Sequence, residues 1–253
     1  MKRKVNKEDS LDNRLKTLIH LDIKRSFPYS KAVTFDSLLN LLTTYAYSNT
    51  KVQYCQGMNF IAGFLLVITK NGSMAFKILK TVIEDYELQD LFIQDALLLK
   101  RKFYQLDRLI NNKYPDIGKL FRMTGVTSTL YGSPWIMTIF TRSMQLTNKD
   151  QPSEMLMRIW DFFLLDKWKA IFKAALFFVD EVSCQLMDAD LEKILATFSS
   201  ISNGEIFHDS LAAEKFTKRY KEIRLTNHTL DNLKTEYGNI FNNINNVLNQ
   251  TPS

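Results

Sequence analysis

Apolar residues recur every three or four positions along most of the chain, the spacing that aligns one face of an α-helix, while the strict alternation of a half-buried strand is scarce. Phe35, Leu38, Leu39, Leu42 and Ala46 make one such stripe, and Met58, Ile61, Leu65 and Ile68 make a second. Both faces of the second segment are apolar, which predicts a helix at the centre of the core. Further helices are expected over Ala75 to Tyr86, Ala96 to Asn111 and Pro134 to Thr141, the last opened by a proline that suits a first helical turn. Ser153 with Glu154 starts a helix over Met155 to Leu165; after a break around Asp166 the pattern resumes over Trp168 to Val182 and again over Asp190 to Phe198. Ser200-Ile201-Ser202-Asn203-Gly204 reads as a loop and Leu211 to Leu225 as a helix packed on the core. Beyond about Asn227 the chain is polar and Asn-rich, and fraying is expected. No fixed internal period is evident, which argues against a solenoid.

Composition sharpens this picture. Only 8 Gly and 5 Pro interrupt 253 residues, and a 45% hydrophobic content supplies one large core or two tightly joined lobes. The excess of 33 Lys and Arg over 27 Asp and Glu gives a net charge of +6. A mildly basic protein attracts an acidic protein surface, a membrane or nucleic acid, and charge alone does not choose among them. Beyond the opening Met1-Lys2-Arg3-Lys4 the charges are interspersed, the pattern of a solvated helical surface. Cys55 and Cys184 are too few for a disulfide framework or a zinc site, so no metal is expected and a reducing compartment fits. No apolar run reaches the roughly 20 residues of a membrane span, and the charged N-terminus lacks the apolar stretch of a secretory signal. His20, His208 and His228 are scattered without a nucleophile partner, and no glycine-rich phosphate loop is present.

Two segments carry candidate chemistry. In Ile19-His20-Leu21-Asp22-Ile23-Lys24-Arg25-Ser26-Phe27-Pro28, the proline disfavours helix at Phe27, so a helix through Leu15 to Asp22 must end near Arg25. Asp22 stands three residues earlier on the same face, within reach of the Arg25 guanidinium. Taken alone, this is an ordinary exposed ion pair. In Tyr54-Cys55-Gln56-Gly57-Met58-Asn59, Gly57 relaxes the backbone just before the central helix and leaves Gln56 at a helix N-terminus. Such ends carry free N–H groups suited to a phosphate-rich partner, although a lone glutamine there is commonly a cap or a solvated side chain. Nothing beside Cys55 except the helix end would lower its pKa, so it is not expected to be catalytic.

Together with the segments downstream, these motifs resemble the TBC domain family of Rab GTPase-activating proteins. Its hallmarks are I-x-x-D-x-x-R, here Ile19, Asp22 and Arg25, and Y-x-Q, here Tyr54 and Gln56. Gln105-Leu106-Asp107-Arg108-Leu109, Ser133-Pro134-Trp135 leading to Phe140-Thr141, and Arg158-Ile159-Trp160-Asp161 before Lys167-Trp168 follow in family order, and the resemblance covers residues 14–201. It implies an all-α, two-lobed TBC fold, with residues 1–201 as the Rab-GAP domain and 202–253 as a helical extension and polar tail. It also implies an arginine finger, Arg25, at the γ-phosphate and a glutamine finger, Gln56, on the attacking water, both acting in trans. Asp22 would orient Arg25, and Tyr54 would shape the contact near Gln56. Trp135, Trp160 and Asp161 are expected to be architectural. No cofactor of its own is expected, since GTP and Mg²⁺ belong to the partner, a Rab-family GTPase in its GTP-bound form. Cytoplasmic residence with peripheral recruitment to endomembranes is likewise implied.

The chain departs from the family in two places. Ser26 stands where threonine is common, a change that keeps the hydroxyl. Family domains usually carry additional helices with a tryptophan before the arginine motif, whereas Met1 to Leu18 precede it here, so the expectation is a shortened domain, or a truncated one with core surface left exposed. Two other function classes compete. A silent Rab-binding adaptor would bind without accelerating hydrolysis, and retention of both fingers argues against it. A basic helical module would bind DNA or RNA in a salt-sensitive way, while the resemblance implies no nucleic acid.

Overall fold

A computed structural model describes residues 7–24, 26, 33–93, 97–142, 151–207 and 209–250; all regular structure in them is helical. The first lobe comprises α1 (Lys7–Lys24), α2 (Phe35–Ser48), α3 (Met58–Thr69), α4 (Gly72–Asp85) and α5 (Leu88–Phe92), which pack on one another. A second set follows: α6 (Leu97–Lys113), α7 (Pro115–Thr124), α8 (Ser128–Tyr131), α9 (Ser133–Met137), α10 (Glu154–Asp166), α11 (Trp168–Leu186), α12 (Leu191–Ser202), α13 (Ser210–Glu222) and α14 (Asn227–Gln250).

Local chemistry sets many of these boundaries. The side chains of Thr34, Asn71, Ser153, Asp190 and Asp209 each accept a backbone N–H from the first turn of α2, α4, α10, α12 and α13. Pro115 opens α7, and Gly125, at φ 71°, closes it. Lys167, at φ 51°, makes the break between α10 and α11 that the sequence places around Asp166.

As its pattern predicts, α3 is buried from Met58 through Val67. A seam of aromatic contacts joins the lobes: Phe64 meets Trp160 at 4.7 Å between ring centroids and Tyr86 meets Phe163 at 5.3 Å. Across the same seam Trp168 Nε1 donates to the Tyr86 carbonyl at 2.9 Å. The buried side chains run on from one lobe to the other as a single cluster.

Several expectations need correction. The helix placed over Pro134 to Thr141 stops at Met137, and Ile139 and Phe140 take positive φ values of 48° and 61°. Both side chains are fully buried, Phe140 stacks on Trp135, and Trp160 Nε1 donates to the Ile139 carbonyl at 3.1 Å; these contacts offset the strain of the left-handed backbone. The loop expected from Ser200 begins later, because α12 continues to Ser202, where burial of Ile201 and a Trp135 Nε1–Ser202 Oγ bond of 3.0 Å extend it. The segment beyond Asn227 is the 24-residue helix α14, packed along α6 through buried Leu233, a 2.8 Å bond from Gln105 Nε2 to the Leu230 carbonyl and the Tyr104–Tyr237 ring pair. Trp135 and Trp160 are core residues as expected, but Asp161 is exposed and pairs with Arg158 at 3.2 Å.

Candidate functional site

The end of α1 and the start of α3 lie side by side, tied by side chains that belong to both sequence motifs. Ser26 is buried just past α1; its N–H bonds to the Ile23 carbonyl at 3.1 Å and its hydroxyl donates to the Asp22 carbonyl. Asn59, in the first turn of α3, donates from Nδ2 to Ser26 Oγ at 2.6 Å and accepts the Gly57 N–H on Oδ1 at 2.9 Å. Tyr54 closes a second link, its hydroxyl donating to Asp22 Oδ2 at 2.6 Å. Asp22 is only 5% exposed, so this charge-assisted bond is made largely out of water, where it is strong and its loss is felt.

The loop carrying Gln56 is shaped by Gly57. Its φ of 111° is one that L side chains rarely adopt, and a Cβ there would also come within 3.4 Å of Thr138 Cγ2. Residues after α9 therefore back the loop, which connects the Ser133-Pro134-Trp135 landmark to the site. Gln56 is exposed at the tip, between half-buried Cys55 and buried Gly57. Burial and then the Asp22 carboxylate push the Cys55 thiol pKa upward, which suits an inert cysteine.

Of the four site residues expected from sequence, the structure brings Asp22, Tyr54 and Gln56 into one small region. Arg25 lies outside the described residues, and so does the expected Asp22–Arg25 pairing. Its neighbours in sequence, Lys24 and Ser26, belong to the end of α1 and to the Asn59 clasp.

The expectation of free amides at the start of α3 is met only in part. The N–H groups of Gly57, Met58 and Phe60 are already bonded, to Asn59 Oδ1, to the Cys55 carbonyl at 3.2 Å and to the Gly57 carbonyl at 3.1 Å. The glycine curls the loop onto the helix, so the site offers side chains more than a phosphate-cradling backbone. Two residues with a part in this region were not singled out from sequence. Asn59 is one, and its signal was there: an amide within the otherwise apolar Met58-Asn59-Phe60-Ile61-Ala62-Gly63-Phe64-Leu65-Leu66-Val67 run. The other is exposed Arg142, whose guanidinium lies 5.6 Å from the Phe60 ring centroid and adds a cation beside the first turn of α3.

Among the described residues no group of three or more His, Cys, Asp or Glu side chains is placed to hold a metal ion, and no helix is long and apolar enough to cross a membrane.

Comparison with known proteins bears on this geometry. Growth hormone-regulated TBC protein 1 of Xenopus tropicalis is 30% identical over 215 residues, covering 82% of this chain and 60% of the relative. The Homo sapiens protein of the same name is 33% identical over 199 residues, covering 76% and 57%. The chain thus spans about three-fifths of the length of these curated relatives. The fold is similar to that in the crystal structure of the Chlamydomonas flagellar RabGAP TBC domain, with a TM-score of 0.65 at 20% identity, over 83% of this chain and 69% of that one. A sequence model described as the Rab-GTPase-TBC domain matches residues 1–187, a stretch that holds the Ile19–Arg25 and Tyr54–Gln56 motifs and the tryptophan landmarks behind them. The chain belongs to the Rab-GTPase-TBC domain family.

Proposed function

We propose that this protein accelerates GTP hydrolysis by a Rab-family GTPase, contributing Arg25 to the γ-phosphate and Gln56 to the attacking water. The observation that carries this reading is the double clasp of Tyr54 with Asp22 and Asn59 with Ser26, which holds the segments flanking Arg25 against the loop that presents Gln56. Phosphoryl transfer spreads negative charge over oxygens that a planar, permanently charged guanidinium binds with two donors. A glutamine amide accepts from the water and donates to a phosphate oxygen at once, so it orients the nucleophile without needing a shifted pKa. The nucleotide and its Mg²⁺ are the partner's.

Asp22 acts as a positioning residue for the Arg25 segment, and Tyr54 holds Asp22 in turn. The catalytic domain on this reading is residues 1–201, with 202–253 as an extension whose helices α13 and α14 pack on α10, α11 and α6. The partner is engaged in its GTP-bound form, and the protein works from the cytoplasm on GTPases tethered to organelle membranes.

The test is a panel of purified Rab-family GTPases, each loaded with GTP and assayed for stimulated hydrolysis at equal protein concentration. Strong stimulation of one or a few members supports the proposal. Tight binding of a GTP-loaded member with no stimulation of any would replace it with the adaptor reading.

A further inference from the structure

On the seam between the lobes, α14 helps close a cleft of about 360 Å³ that includes Lys102, Gln105 and Trp168 in its lining. That size is near the lower end of the roughly 300–1,000 Å³ of small-molecule sites. The chemistry of its walls is lopsided. Arg101 and Lys102 come from α6, Lys234 from α14, Lys167 from the turn between α10 and α11, and Lys169 from the first turn of α11. Facing these five cations are three carboxylates, Glu87, Asp166 and Asp231.

Some of this charge is matched. Lys102 Nζ lies 3.1 Å from Glu87, Lys169 lies 2.8 Å from Asp166, and Lys167 donates to the Asp85 carbonyl at 3.2 Å. Among the described residues neither Arg101 nor Lys234 forms an ion pair, and the Arg101 Nε is buried with no acceptor. Gln105 is 3% exposed and its Oε1 is also without a partner. Lys102 is 4% exposed, with its ammonium 4.1 Å from the Trp168 ring centroid. A buried lysine, a half-buried guanidinium with an unspent buried donor and an exposed lysine from α14 gather around Glu87, and the cleft's five cations exceed its three carboxylates.

We propose that this cleft binds a compact phosphate-bearing anion through Arg101, Lys102 and Lys234, whether a free polyphosphorylated small molecule or a phosphorylated lipid headgroup. Phosphate fits better than a single carboxylate because donors approach from separate elements and the charge excess is more than one. The guanidinium provides the directional, bidentate contact, and the two ammonium groups provide point charge. The Gln105 Oε1 can accept from a protonated phosphate oxygen or a bridging water. Lys234 belongs to α14, beyond the stretch matched by the family's sequence model, so the site exists only with α14 docked. Burial, with Arg101 and Lys234 adding like charge, pulls the Lys102 pKa down to about 8. An incoming anion raises it again and draws a proton from buffer near pH 8.

The experiment is calorimetric titration of the full chain with inositol hexakisphosphate and with inorganic phosphate, alongside sedimentation with phosphatidylcholine vesicles containing or lacking phosphatidylinositol bisphosphate. Saturable one-to-one binding of the soluble polyphosphate, with proton uptake at pH 8, supports a free ligand. Co-sedimentation only with the phosphorylated lipid supports a headgroup. The Arg101→Ala/Lys234→Ala pair should weaken binding at least tenfold while thermal melting shows the chain folded; Lys234→Gln, at an exposed position, serves if the pair does not fold. The control is Lys218→Ala/Lys221→Ala, which removes equal charge from a surface outside the cleft lining that these residues share with Arg158. Binding weakened equally by both pairs, binding indifferent to Arg101 and Lys234, or no saturable binding of any probe overturns the proposal.

Discussion

Replacing Asn59 by alanine tests the clasp on which the site geometry depends. The side chain is 2% exposed and makes two bonds, 2.6 Å to Ser26 Oγ and 2.9 Å from the Gly57 N–H. Losing the first removes a net contribution of about 0.5–1.5 kcal/mol, and losing the second strands a buried donor at about 1–3 kcal/mol. The sum is about 1.5–4.5 kcal/mol, and Ser26→Ala should cost a comparable amount, because it strands the buried Asn59 Nδ2 donor in its turn. Urea unfolding followed by circular dichroism reads each loss as a shift in midpoint at constant slope. Where the Asn59→Ala protein is still folded, stimulated GTP hydrolysis should fall by up to about 10²-fold, the penalty expected when catalytic groups drift by an ångström. A destabilisation below about 0.5 kcal/mol with unchanged activity would refute the clasp.

Three further expectations follow from the same structure. Gly57→Ala should destabilise by about 1–3 kcal/mol, because the φ of 111° is strained for any residue with a Cβ, and should reduce stimulation more than stability alone explains. Lys102 binds its proton less tightly in the folded protein, near pH 8, than the ordinary 10.5 of the unfolded chain. From about pH 8 to 10.5 the unfolded state therefore holds more protons, and stability rises with pH. Measured against Lys102→Met, the wild type should gain about 3 kcal/mol across that window; a flat difference would contradict the burial argument. Ending the chain at residue 226 should cost about 2–4 kcal/mol, from the lost burial of Leu233 and the Gln105–Leu230 bond, whereas a frayed tail would be removable without effect.

Long helices with strong periodicity were legible in the sequence, and α2, α3, α4, α6, α10 and α11 lie close to where their stripes place them. The short α5, α7 and α8 were not foreseen, because four to ten residues give a period of 3.6 too little room to show itself. The turn at Ile139 and Phe140 was misread as helix because its left-handed backbone is held by distant partners, Trp135 and Trp160, that local propensity does not register. For α14 the error ran the other way. Its many asparagines suggested disorder, yet Leu230, Leu233 and Tyr237 recur at helical spacing and find α6 as their partner. At the candidate site the motifs single out Asp22, Tyr54 and Gln56, but the bond from Tyr54 to Asp22 did not follow from sequence. The role of Asn59 did not either, because a polar residue in an apolar helix signals only that some partner exists, and the partner, Ser26, came from another motif.

The most direct measurement is single-turnover GTP hydrolysis by a responsive Rab-family GTPase, comparing wild type, Arg25→Ala, Gln56→Ala and the double variant at matched, folded concentrations. Arg25→Ala should lose roughly 10³-fold or more of the stimulated rate, the scale of an arginine finger. Gln56→Ala should also fall sharply, and the double variant should lose less than the two single losses multiplied, as groups acting on one transition state do. Stimulation by Arg25→Ala equal to that of wild type would contradict the account.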